Sequence, residues 1–241
     1  MFHEKSQPKA DPPRAEKNLI IAADDFGKSE LANQNILRLA KAGKLDRISV
    51  MSDGHFSPEE AEELKNFGAK LDIHFELDWQ KKRRHLLNDS VLRQGMVFLG
   101  NYFRPGYEKK VREDWDLQIK KFHALFGRYP DGMNSHEHAH FFPAYFKIAV
   151  DLARKYGISY VRFGVRGFEG RSAVKRRILN ILRWRDKDCF FESGLGSSDF
   201  FASIDWIDAT GKNIRFSSKH TIEISCHPER EDEFESIKKY F

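Results

Sequence analysis

In "IAADDFG", residues 21–27, two adjacent carboxylates, Asp24 and Asp25, close an apolar run, and Gly27 follows almost at once. Like charges this close repel unless a cation, a shared proton or solvent relieves them. Further along, "NSHEHAHFFP" places His136, His138 and His140 at every second position. Neutral imidazole is a common ligand for zinc and other transition metals, and one Asp with two His leaves positions open for water and substrate. A bound cation would explain why two carboxylates tolerate each other. Each motif also has an ordinary reading. Asp ends strands and caps helices, which Asp25 would do for the helix that follows, and histidines form proton-switched structural networks. His3, His55, His85, His123 and His220 lie outside these patterns and read as surface or satisfied core residues.

Strands and helices must alternate to bring these groups together. "NLIIAADD" reads as a first strand, followed by a helix over 29–42 with Ser29 as N-cap and Gly43 as its stop. "RISVMSD" is a second strand. "SPEEAEELKNFG" opens a helix with Ser57, Pro58 at the first position and Glu60 placed for a capping box. In "KLDIHFELD", Leu71, Ile73, Phe75 and Leu77 share one face while Asp72, His74, Glu76 and Asp78 share the other. Helices over 108–126 and from Pro143 to a stop at Gly157 follow, then the strand "ISYVRF". A basic amphipathic stretch covers 171–187, and "TIEISCHP" is the last strand, with Glu223 and His227 on its polar face. This alternation implies parallel βαβ units, an α/β fold and, if closed, a barrel whose C-terminal mouth holds the site.

The chain has 241 residues, 40% hydrophobic and 32% charged, which suits one globular domain over residues 18–241. Residues 1–17 lack the apolar stretch of a secretory signal and read as a disordered lead-in. No apolar run reaches the length of a membrane span. Cys189 and Cys226 lie far apart without a CxxC spacing, so no disulfide framework is implied and a cytoplasmic location is expected. A net charge of +5 permits attraction to nucleic acid, anionic lipid or acidic glycans. The 171–187 stretch suits an anionic membrane surface, to which it would bind peripherally, or an ordinary helix packed by its apolar stripe. "KKRRH" over 81–85 reads as a charged surface loop. No recognised nucleic-acid motif is present, so nucleic acid is not expected as a partner.

Four pieces together resemble the YdjC-like carbohydrate deacetylases, within the polysaccharide deacetylase superfamily: "ADDFG", "DIHFEL", "NSHEHAHFFP" and "IEISCHP", in order over about residues 18–228. The resemblance implies a deformed (β/α) barrel of the glycoside hydrolase/deacetylase type. It also implies one divalent ion, magnesium or zinc, held by Asp25, His74 and His136. Asp24 would then be the general base and His227 the acid that protonates the leaving amine. His138 and His140 would be substrate contacts or groups that orient the ligands, and a homodimer is compatible. Glu223, on the polar face with His227, would orient that histidine or form a barrel-interior salt bridge. Aromatic rings suit a pyranose face, which makes Phe26, Trp79, Phe141, Phe142 and Trp206 candidate contacts.

Three departures from the family pattern stand out. Asn134 replaces a carboxylate two residues before His136, and Asp72 replaces a Gly two before His74, adding a charge near the site. The short run after "CHP" suggests a barrel wall open near the last strand or completed by a partner. The expected reaction is hydrolysis of the N-acetyl group of an amino sugar or oligosaccharide. Two alternatives remain open: a metal-dependent phosphoesterase on the same barrel, and an inactive protein that binds through its basic surface.

Overall fold

The structure is a computed structural model that describes residues 18–83, 91–170, 173–207 and 219–241. The expected lead-in at 1–17, His3, His85 and Arg171 lie outside the described residues. Among the described residues eight strands join one parallel sheet: β1 (Leu19–Phe26), β2 (Arg47–Val50), β3 (Lys70–Phe75), β4 (Gly132–Ser135), β5 (Tyr160–Val161), β6 (Gly167–Phe168), β7 (Phe200–Ser203) and β8 (Ile222–Cys226). Their spatial order is β5-β4-β3-β2-β1-β8-β7-β6, and eight helices accompany them among those residues. The sheet curls into a half-barrel, the deformed barrel expected from the sequence.

Helix boundaries follow local chemistry. Ser29 caps α1 (Glu30–Lys41) by accepting from the Ala32 amide, so Asp25 is not the cap. The capping box of Ser57 and Glu60 starts α2 (Pro58–Lys65), with both reciprocal bonds formed. Beyond β3 come α3 (Asp78–Arg83), α4 (Val91–Tyr102) and α5 (Tyr107–Phe126). Pro143 opens α6 (Pro143–Tyr156), and Gly157 closes it in the left-handed conformation. The chain continues through α7 (Ala173–Ser193) and, after β8, α8 (Glu231–Tyr240).

Period-two alternation divides the sheet. Ile21, Ile48, Ile73, Met133, Val161 and Ile224 belong to the buried apolar core with the helices. Within it, Trp115 of α5 stacks on Phe75 at 4.5 Å between ring centroids. The alternate positions, Asp24, Asp72, His74, Asn134, Arg162 and Glu223, are buried as well. The polar face is therefore buried too, and each charge on it needs a partner.

Several expectations are corrected. The chemical face of β3 does not run on to Asp78, because the strand ends at Phe75; Asp78 starts α3 and pairs with Lys82 and Lys110. Lys81 sits in α3, not in a loop, and bridges Asp53 and Asp114. The wall at the last strand is not open, since β8 pairs with β1 and β7 on either side. Among the described residues the seam lies between β5 and β6, where Gly196 bridges to Tyr160 of β5.

Candidate metal centre

Adjacent residues on a strand normally face opposite sides, so two buried carboxylates in succession need a local irregularity. Opposite β2, β1 steps three residues from Ala23 to Phe26 while β2 steps two from Ile48 to Val50, which marks a bulge. Asp25 occupies it with φ of 71°, in the left-handed region. Backbone strain of this kind persists only where the surroundings hold it. The turn that follows is packed backbone to backbone: a Cβ on Gly54 would lie 2.5 Å from the Gly27 carbonyl oxygen.

The bulge delivers Asp25 to two histidines. Its Oδ1 lies 3.1 Å from His74 Nε2 and 3.1 Å from His136 Nδ1, and its Oδ2 accepts from Lys28 Nζ at 3.0 Å. The three ligand atoms of Asp25, His74 and His136 all lie within 4.8 Å of one another. Burial would raise the Asp25 pKa, but the charges and hydrogen bonds of His136 and His74 outweigh it and hold the carboxyl well below the usual range. Burial likewise opposes protonation of His136, and Asp25 overcomes it, pushing that imidazole up to about 8. One carboxylate and two imidazoles at this separation are a donor set that a divalent cation can bridge.

His74 is oriented across the β3–β4 ladder by its register partner Asn134, whose Oδ1 contacts His74 Nδ1. The Asn134 amide donates to Ser49 Oγ at 2.7 Å, so its oxygen is the group that faces the ring. The imidazole donates Nδ1–H to Asn134 and points Nε2 at Asp25, the nitrogen that would hold an ion. The expected loss at Asn134 is thus corrected: an amide oxygen does the orienting, and for His74. Nor does Asp72 add a free charge, because Arg47 grips it with two bonds of 2.6 Å while stacking over Tyr160.

Sequence reasoning missed Arg162, in "YVRF". Fully buried, it donates to both oxygens of Asp24 at 2.6 and 2.8 Å and to Glu223 Oε1 at 2.5 Å. Burial would raise the Asp24 pKa, but Arg162 wins and holds the carboxyl well below its ordinary value. Glu223 also accepts from Tyr160 Oη at 2.6 Å. It therefore belongs to an interior ion-pair chain and does not orient His227. Along that chain Arg47 pairs with Asp72, and Arg162 with Asp24 and Glu223, while Lys28 pairs with the neighbouring Asp25. A basic residue alternating with Tyr160 in a strand read as apolar was the only signal for Arg162.

At the end of β8 the partner of His227 is Glu233 of α8, also missed. Its Oε2 accepts from the His227 amide at 2.6 Å and lies 3.4 Å from Nδ1. Burial would lower the His227 pKa; Glu233 outweighs it, with Asp25 and Asp24, and raises it above the ordinary value.

The remaining histidines part ways after β4. Glu137 and His138 both have left-handed backbones, with φ of 52° and 58°, inside the turn His136–Phe141, so a continuing strand is excluded. His138 swings against Phe141, Phe201 and Trp206, and its buried Nδ1 has no partner among the described residues. Burial and Arg162 keep it neutral, far below the usual pKa. His140 is buried, donates Nε2–H to the Arg162 carbonyl at 2.9 Å and accepts from Ser135 Oγ–H at 2.7 Å. Burial lowers its pKa to about 3, and it anchors the backbone at Arg162.

Among the aromatic candidates, Phe26 is fully buried against Phe56, so it offers no face to a ligand, and Phe141 is likewise core. Trp206 is buried beside His138, and Phe142 packs on Phe98. Trp79 is half-buried on α3 with its indole N–H unpartnered.

The family model described as YdjC-like protein matches residues 18–239. The chain belongs to the YdjC-like family. A relative from Escherichia fergusonii, named chitooligosaccharide deacetylase, is 26% identical over 226 residues, covering 88% of this chain and 82% of the relative. A carbohydrate deacetylase from Danio rerio is 25% identical over 158 residues, 62% of this chain and 50% of the relative. The match thus spans half the length of that relative. A solved structure from Enterococcus faecalis, described as a candidate cellobiose-phosphate cleavage protein, superimposes with a TM-score of 0.57. It shares 19% identity and covers 87% of this chain and 80% of its own, a likeness of fold.

Proposed function

We propose that this protein is a metal-dependent hydrolase that removes the N-acetyl group from an acetylated amino sugar or oligosaccharide. The observation that carries the reading is the cluster of Asp25, His74 and His136, with Asp24 adjacent in the chain and His227 close enough to act on both carboxylates electrostatically. The names of the relatives point to the same substrate class.

Asp25, His74 and His136 would hold the ion. Two imidazoles favour zinc over magnesium, which prefers all-oxygen shells. When bound, a divalent ion polarises the acetyl carbonyl and lowers the pKa of a water from 15.7 toward about 7. Asp24, kept ionised by Arg162, orients the attacking water and takes its proton as the new C–O bond forms. His227, kept protonated by Glu233, gives its proton to the departing nitrogen as the C–N bond breaks. Water and amide go to acetate and a free amine. His138, neutral and with Nδ1 unpartnered, and Trp79 are the groups available to the sugar. His140 supports the site through Arg162 and is not a substrate contact.

Acetate release from N-acetylated chito-oligosaccharides tests this, with the metal content of the protein determined beforehand. Activity is expected to vanish on chelation and to fall at least about a hundredfold in Asp24→Asn, as loss of a general base does. Metal-replete protein that hydrolyses a phosphate ester and no N-acetyl sugar would overturn the reading.

A further inference from the structure

Helix α7 buries one side and leaves an apolar face in water. Leu179, Asp186 and Phe190 are buried on its inner face, with Phe190 stacked on Phe163 at 4.3 Å. On the other side Ile178, Ile181 and Trp184 are 51%, 61% and 71% exposed. At 100° per residue these three fall on one broad outward face, together with Arg177 and Arg185. Both arginines are exposed, and so is Lys187 on the flank. Acidic residues on the outward side, Asp188 and Glu192, come only in the last turns.

Isolated exposed apolar residues need no explanation. A tryptophan and two isoleucines within two turns, bordered by fixed cations, are a different pattern. A soluble helix that also packs through its inner stripe gains nothing from them. Indole rings settle at the level of lipid headgroups, isoleucine enters the acyl boundary, and Lys or Arg pairs with anionic headgroups.

We infer that the outward face of α7 docks the protein peripherally on an anionic lipid surface, with Ile178, Ile181 and Trp184 entering the interface and Arg177, Arg185 and Lys187 pairing with headgroups. A second copy of the chain would be repelled by those same cations, whereas an anionic bilayer complements them. The net charge of +5 acts in the same direction. Each basic residue near such a surface strengthens binding by about 1 kcal/mol, roughly fivefold.

The test is sedimentation of the full chain with vesicles of phosphatidylcholine, with and without phosphatidylglycerol. Binding is expected on the mixed vesicles only and should weaken as salt rises. Arg177→Glu/Arg185→Glu should reduce it at least about twentyfold, and Ile181→Ser/Trp184→Ser should abolish it while acetate release from a soluble sugar is unchanged. Should the apolar double variant fail to fold, lipid-brominated quenchers decide: they must quench wild-type fluorescence more than that of Trp184→Phe. Equal binding to both vesicle types, or no effect of charge reversal, overturns the inference. So does a concentration-dependent dimer that the apolar variant abolishes without vesicle binding by wild type.

Discussion

At the scale of single residues the site is a set of matched pairs, and each pair fixes a protonation state. Asn134 sets the tautomer of His74, Arg162 keeps Asp24 ionised, and Glu233 holds a proton on His227. The last pairing predicts a pH profile. The folded pKa of His227 is raised above the ordinary value, so its acid form is lost as pH rises through that higher value. Glu233→Gln removes the main raising influence. The alkaline limb of kcat/KM should move to lower pH, with the loss of activity seen on the alkaline side and little change at pH 6. An unmoved limb would remove His227 from the acid role. Asp25, His74 and His136, the residues proposed to hold the ion, are legible in sequence through the resemblance that four ordered motifs carry. Asn134, Arg162 and Glu233 are not, because what makes them functional is the atom they touch.

At the scale of elements the bulge in β1 and the ion-pair chain across the strands place the chemistry. Arg162, just past β5, links that strand's end to Asp24 of β1 and, with Tyr160, to Glu223 of β8. Removing one partner of a buried charge network leaves uncompensated carboxylates, at a cost of about 3–5 kcal/mol. Arg162→Met should therefore lower Tm by about 10 °C, and Arg162→Met/Glu223→Gln should recover part of the loss. Thermal unfolding of both variants checks this; a Tm unchanged in the single variant would show that the chain is not structural. Helices with caps and stops, α1, α2 and α6, were readable from Ser29, Ser57 and Gly157 because capping is local. β5 falls inside the strand read at "ISYVRF", whereas the two-residue β6 was missed, since two residues hold no period.

At the scale of the whole molecule the pH dependence of stability is shared between groups of opposite sign. Asp24, whose folded pKa is depressed, adds stability that is present above the unfolded value and lost as pH falls through the folded one. Asp186 of α7 acts in reverse. It is buried, its Oδ2 is unpartnered among the described residues, and burial pushes its pKa up to about 7. The folded state then binds its proton more tightly than the unfolded chain, so stability is full below the unfolded pKa and declines as pH rises through about 7. Asp186→Asn should raise Tm by several degrees at pH 8, by about 2–4 °C per kcal/mol, and change it little at pH 5. A calorimetric scan at both values checks the crossover; a variant less stable at pH 8 would assign Asp186 a partner it needs ionised.

The sequence by itself determined the class of fold and the alternation of strand and helix, and its motif resemblance named the three residues proposed as ligands. Fold class and alternation depend on periodicity, capping chemistry and residue type, which act over a few positions. Only the tertiary structure decided that His138 and His140 diverge, that Glu223 serves Arg162 while Glu233 serves His227, that Phe26 is core, and that Ile181 and Trp184 face water. Each of those rests on contacts between distant segments, and curvature of the sheet, with the bulge at Asp25, sets which segments meet.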